Sequence, residues 1–317
     1  MFRPQSPSVG VSAGIGLSAI PPYFPSDLIP PSQFGCLESS MLRILALVVG
    51  LCLLGADLLA QDFSVTTRVF DLDSPEPNQP VARSRTLFHV GKVYDVIDGA
   101  AEATILEPAH RRVLILNSNR SVVCSVDSDE LKHMLQSAEE RWGQQIHELE
   151  EQPNPPRQQL ETLRFQLRPN FKTELDPGKH RLRLLSNTMS YEVDGAANVR
   201  PEAVESYLNF TDWMCRLNYV LHPQPLFPSV RLELNERLKQ QKMFPVEVTL
   251  RAKFERPLNL KAEHSVAWTL DARGKQIINQ CESLLRDPKL QKVSLNEYQR
   301  IGLNQPVAKL AKADGKK

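Results

Sequence analysis

The chain has 317 residues, enough for one or two domains. It is 41% hydrophobic and 24% charged, and its 38 basic side chains nearly balance 37 acidic ones, for a formal charge of +1. These values exclude wholesale disorder, a collagen-like or polytopic membrane protein, and the basic excess of a typical nucleic-acid binder.

Seven of the 24 prolines fall in residues 1–40, which carry only Arg3, Asp27 and Glu38 as charges. Such a stretch holds neither a helix nor a central strand and reads as a leader or a mis-assigned start. Its Gly14-Ile15-Gly16-Leu17-Ser18-Ala19 matches a dinucleotide fingerprint only in letters, because no strand precedes it. Residues 41–60 are laid out as a secretory signal peptide: Met41, basic Arg43, an apolar run from Ile44 to Ala56, and small Ala60 before Gln61. The run is short for a membrane span. Cleavage after Ala60 is expected, with an uncleaved anchor as the alternative. Cys52 is a poor lipidation site, since Leu51 stands where a small residue is required. The expected location is therefore exported, periplasmic or secreted.

From residue 61 the chain reads as a single domain to about 305, followed by a basic tail over 306–317. Phe63–Phe70 alternates and is rich in β-branched residues, which predicts a strand. Residues 73–79 form a loop. Arg85–Asp98 reads as one long strand, and Glu102–Leu106, Arg112–Leu116 and Ser121–Val126 as further strands of an antiparallel meander. The period then changes. Leu131, Leu135, Ala138, Trp142 and Leu149 recur at helical spacing, with Met134 and Ile146 beside them, so a helix is expected from Ser128 to about Gln152. Ser128 or Asp129 would cap it, and Pro153, Pro155 and Pro156 stop it. Residues 127–151 hold eight acids against Lys132 and Arg141, a net −6. A shorter helix follows on Leu160, Leu163 and Leu167, so 128–168 reads as a helical excursion over the sheet.

Phe171–Leu175 and His180–Leu185 flank Asp-Pro-Gly, which predicts a hairpin. Met189–Val193 continues the sheet, and Pro201 opens a helix carrying Val204, Tyr207, Leu208, Trp213, Met214 and Leu217. Val230–Leu234 reads as a strand, Asn235–Lys242 as a helical turn and Val246–Ala252 as a strand. Glu263–Leu270 reads as a strand with Val266, Trp268 and Leu270 on one face, and Ile277–Leu285 as an amphipathic helix.

No motif for a hydrolytic nucleophile, a zinc protease or a phosphate-binding loop occurs, so no catalytic residue, metal or cofactor is expected. His133 and His147 would lie about 20 Å apart along one helix, too far to share a metal. Cys124, Cys215 and Cys281 read as buried free thiols, with one disulfide among them as the alternative. Seven cations over 157–183, net +4, face either a phosphate or headgroup or the wet side of a sheet.

The order of elements is the basis of a resemblance. A signal-like segment precedes a strand, Gly91-Lys-Val-Tyr-Asp95, Glu102-Ala-Thr-Ile-Leu106, Arg111-Arg-Val-Leu-Ile-Leu116 and Ser121-Val-Val-Cys-Ser-Val126, then amphipathic helices and more hairpins. This resembles the periplasmic lipoprotein carrier superfamily over about 63–195. The resemblance implies an α+β fold: a curved antiparallel sheet, an incomplete β-barrel, covered by amphipathic helices. It implies a non-enzymatic protein that holds a lipid or lipoprotein on an apolar concave face. Leu131, Met134, Trp142, Trp213 and Trp268 are the candidate pocket residues. The alternative is a structural or partner-binding envelope protein without a cavity, docking through the acidic helix. No nucleic-acid partner is expected.

Overall fold

The computed structural model describes residues 62–303 except 197, 223–225 and 255–256, with side chains described as far as Arg300. The leader, the signal-like segment and the basic tail lie outside the described residues. The chain is α+β, built on one curved, open sheet of twelve strands with helices on both faces.

The first half is the expected meander: β1 (Phe63–Asp71), β2 (Pro80–His89), β3 (Lys92–Ile97), β4 (Glu102–Glu107), β5 (Arg112–Asn117) and β6 (Val122–Asp127). The long strand expected over 85–98 is two strands. Val90 and Gly91 sit between the paired His89 and Lys92 with φ of 47° and 72°. A type I′ hairpin turn needs positive φ at both central positions, and valine rarely adopts it. The turn was therefore hidden in a β-branched run.

Helices α1 (Ser128–Glu150) and α2 (Arg157–Leu167) then leave the sheet. Asp127, rather than Ser128 or Asp129, caps α1, accepting hydrogen bonds from the backbone N–H groups of Asp129 at 2.9 Å and Glu130 at 2.8 Å. The chain returns as β7 (Lys172–Asp176), β8 (Arg181–Leu185) and β9 (Met189–Ala196), crosses the sheet as α3 (Pro201–Leu221) and α4 (Pro228–Gln240), and re-enters as β10 (Phe244–Ala252) and β11 (Leu258–Ala267). The strand expected at Val230–Leu234 is helix. Val230, Leu234 and Leu238 are buried at four-residue spacing, and Pro228 occupies the first turn of this helix. Finally α5 (Ala272–Leu285), β12 (Gln291–Val293) and α6 (Leu295–Leu303) complete the described chain. Neither β12 nor α6 was expected from local pattern.

The strand order is β12-β6-β5-β4-β3-β2-β1-β11-β10-β9-β8-β7. Every pair is antiparallel except β12 with β6. Strand β1 therefore joins two meanders, with Thr67 opposite His264 across the seam. On the major face, Val65, Val113, Ile115, Leu182 and Val193 meet Leu131 of α1, Tyr207 and Leu217 of α3, Leu234 of α4 and Tyr298 of α6. On the minor face, Leu87, Ile105, Leu114 and Leu116 meet Ile278 and Cys281 of α5. Strand β5 is buried on both sides, which is why it reads as an unbroken apolar run. The strand expected to reach Leu270 ends at Ala267, and Leu270 packs into the minor-face core with α5.

Candidate functional site

Helix α1 touches the sheet only near its start. Leu131 is buried in the major-face core, and Met134 and Leu135 pack beside it. Farther along, Ala138 and Trp142 turn to Tyr219 and Phe227, whose rings stand 4.9 Å apart, with Trp142 5.3 Å from Phe227. Another face of the helix, offset by three- and four-residue steps, carries Gln136, Glu139, Glu140, Gly143 and Ile146. Together with Arg164, Phe165 and Leu167 of α2 and Arg168 at its C-terminal cap, these residues line a solvent-open cleft of about 770 Å³.

The cleft has a graded chemistry. Ile146, Phe165 and Leu167 are half-buried and supply apolar surface. Phe165 is held edge-on against Phe171, 4.9 Å away. Arg164 is neutralised by Glu150 on the opposite helix. Glu139 and Glu140 are exposed and have no cationic partner among the described residues. Gly143 lies midway along the α1 wall, and a Cβ there would meet nothing within 4 Å. Glycine costs a helix about 1 kcal/mol relative to alanine, and here it leaves the wall low.

A second polar feature lies inside the major-face core. Thr86 donates to buried Asp95 across β2 and β3 at 2.6 Å. Burial, opposed by that hydrogen bond, pushes the Asp95 carboxyl up to about 6. Beyond β2, where β1 meets β11, Nδ1 of His264 lies 2.9 Å from the Thr67 hydroxyl and 3.2 Å from the Tyr207 hydroxyl, while its Nε2 is buried without a partner among the described residues. Burial, reinforced by the Arg231 charge, drives the His264 pKa down to about 3, so the ring is neutral. Arg231, on α4, has both Nε and Nη2 buried and unpartnered. Between α3 and α4, Asp212 accepts from Lys239 at 2.8 Å, yet burial raises its carboxyl to about 7.

The minor face differs. Lys92 bridges Glu107 at 3.0 Å and Glu282 of α5 at 2.8 Å, Tyr94 donates to Glu282 at 2.7 Å, and Arg112 Nε donates to Glu107 at 2.7 Å. Every one of these charges has an opposite neighbour.

The five candidate pocket residues are not brought to one place. Leu131, Met134 and Trp213 belong to the major-face core, and Trp142 to the satellite cluster with Tyr219 and Phe227. Trp268 is 40% exposed just beyond β11, under the Arg200 guanidinium at 4.5 Å. On the major face itself, Tyr207, Phe210, Phe244 and Leu184 are among the largest fully buried side chains. The cations of 157–183 mostly find carboxylates: Arg181 grips both oxygens of Asp194 at 2.5 and 2.7 Å, and Lys172 bonds Glu174 at 2.7 Å. Cys124, Cys215 and Cys281 are free thiols, and burial raises the pKa of each. Among the described residues no cluster of His, Cys, Asp or Glu is arranged to hold a metal, and no helix is long and apolar enough to cross a membrane. Sequence reading missed Phe165 of the cleft and the interior His264 and Arg231; Arg164 and Arg168 stood only among the cations of 157–183, and Leu167 only on the stripe of the expected short helix, with no sign that they face α1.

No family model matches the chain, and no curated protein matches it. Among solved structures, PNGF-II in space group P21 aligns with 77% of this chain and 34% of its own, at 12% identity and a TM-score of 0.33. This chain thus spans about a third of that protein's length. A likeness of that size carries no argument about fold or function.

Proposed function

We propose that this chain is a non-enzymatic binding protein that holds a basic, amphipathic segment of a partner protein in the cleft between α1 and α2. One observation carries the reading: apolar Ile146, Phe165 and Leu167 lie beside Glu139 and Glu140, carboxylates with no cation of their own among the described residues. A helix or extended strip with apolar residues on one side and lysines flanking them would bury the first and pair the second, the groove mode of peptide recognition. The acidic surface of α1 would speed encounter with such a segment and make binding salt-dependent. The reading is preferred to a lipid carrier because the protein's own aromatic and aliphatic side chains occupy the major face. Export, expected from residues 41–60, would make the partner a cell-envelope protein.

The test is fluorescence anisotropy with two labelled peptides, identical in their leucines but carrying lysine or glutamate at the flanking positions. The lysine peptide is expected to bind, and to bind at least tenfold more weakly after Glu139→Lys with Glu140→Lys. Gly143→Met, which enters open space and favours the helix, should block the cleft without unfolding the chain. Equal binding of both peptides, or binding indifferent to Gly143→Met, would remove the cleft as the site.

A further inference from the structure

The basic segment 304–317 lies beyond α6, outside the described residues. Its sequence holds Lys309, Lys312, Lys316 and Lys317 against one acid, Asp314. At helical spacing, about 100° per residue, Val307, Leu310 and Ala311 fall on one side and Lys309, Lys312 and Lys316 on the opposite one. This is a basic, amphipathic segment, the kind of ligand that the α1–α2 cleft suits.

The fold brings the start of this segment close to that cleft. Gln299 of α6 donates from Nε2 to the Val220 carbonyl, near the end of α3, at 2.8 Å. Tyr219, one residue back, packs in the satellite cluster with Phe227, Ala138 and Trp142 of α1 and Leu167 of α2. Phe227 is tied to α2 as well, its N–H donating to Gln166 Oε1 at 2.7 Å. Leu167 itself lines the cleft. One packed cluster therefore separates the anchor of α6 from the cleft wall. Residues 304–317 span at most about 46–50 Å when extended, whereas a helix with its side chains is about 10–12 Å across.

The two walls match the two sides of the segment. The α2 wall offers Phe165 and Leu167, and its Arg164 is already paired with Glu150. The α1 wall offers Glu139 and Glu140, exposed and without a cationic partner among the described residues. Arg168, at the α2 cap, has no acidic partner among the described residues and is the counterpart for Asp314.

We propose that residues 304–317 dock in the α1–α2 cleft of their own chain, with the apolar side on Phe165 and Leu167 and the lysines toward Glu139 and Glu140. The free protein then fills its own cleft, and a partner segment binds by displacing it. The proposal rests on the reading of the cleft as a peptide groove. A tethered segment acts at millimolar effective concentration, so an intrinsic Kd of about 100 µM fills the cleft in about nine molecules of ten and weakens a competing peptide about tenfold.

The test uses the full chain, the chain truncated after Leu303, and a labelled peptide of residues 304–317, with the lysine-flanked leucine peptide as reference. In anisotropy titrations the 304–317 peptide is expected to bind the truncated chain, and to bind the full chain at least tenfold more weakly because the attached copy competes. Lys309→Glu with Lys312→Glu in the full chain, both beyond α6, should restore binding to the truncated level. Glu139→Lys with Glu140→Lys in the truncated chain should weaken the peptide at least tenfold, and a peptide carrying the two lysine-to-glutamate changes should recover part of that loss. Binding of the reference peptide but not of the 304–317 peptide to the truncated chain would overturn this proposal and leave the cleft reading standing, whereas failure of both peptides would remove both. Equal binding of the 304–317 peptide to the full and truncated chains would overturn docking within one chain. So would a concentration-dependent dimer of the full chain that disappears on truncation, since the segment would then belong to the cleft of a second copy.

Discussion

The two faces of the sheet solve the burial of polar groups in opposite ways. On the minor face, Lys92, Glu107, Arg112, Tyr94 and Glu282 form a closed set in which each charge meets its opposite, and the set pins α5 to β3 and β4. On the major face, Asp95 has a hydroxyl but no cation, His264 has one satisfied nitrogen, and Arg231 has two unsatisfied ones. The first arrangement is what structural polar groups look like when they are complete. The second leaves donors and acceptors available, which costs stability unless something else engages them.

Substitutions can break this comparison. The largest effect is expected at the minor face. Glu107→Gln removes the acid shared by Lys92 and Arg112 and should lower unfolding free energy by about 2–3 kcal/mol, less than a fully buried pair would because both cations are partly exposed. Urea titration at pH 7 reads this directly. Asp95→Asn should act with the opposite sign. It removes a charge that burial opposes, so a gain of about 2–3 kcal/mol at pH 7 is expected from a shift from 3.8 to about 6.

The pH dependence sharpens the same contrast. Folded Asp95 keeps its proton up to about pH 6, whereas the unfolded chain releases it near 3.8, so its contribution is full at low pH and is lost as pH rises. His264 behaves in reverse. The unfolded ring gains a proton below 6.5 and the folded ring only near 3, so its contribution is lost as pH falls. Between pH 4 and 6 the two slopes offset. In Asp95→Asn only the histidine slope remains, and stability should climb by up to about 1.4 kcal/mol per pH unit over that window relative to the parent. A parallel pair of curves would show that Asp95 is not held protonated by the fold. At the helical excursion, smaller effects are expected. Asp127→Ala should cost about 1 kcal/mol through loss of the α1 cap. Gly143→Ala should add somewhat less than 1 kcal/mol, with no change on either face of the sheet. Both are measurable by thermal unfolding.

Much of the architecture was legible from local pattern. The meander from Phe63 to Val126, the long helix after Asp127, the Asp-Pro-Gly hairpin and the helix opened by Pro201 all follow from period and punctuation. The misreadings share a cause. Val90-Gly91 and Val230–Leu234 carry β-branched residues whose strand preference is weak against turn geometry and helical burial. Of the candidate site, the acidity of α1 was visible, but the cleft was not, because its second wall comes from α2 and depends on how two helices pack.

The amino-acid sequence by itself determined which segments are strands and helices for most of the chain, since alternation, helical spacing, caps and prolines act within a few residues. It also determined the net charge of the excursion. Only the tertiary structure decided what those segments meet. Thr67 faces His264 across 197 residues and Lys92 reaches Glu282 across 190, distances over which no sequence period operates. The same holds for β12, three residues long and paired in parallel with β6. Whether a half-buried arginine finds a carboxylate is likewise a property of packing. Residue type states only that Arg231 needs an acceptor, and the fold decides whether the protein supplies one.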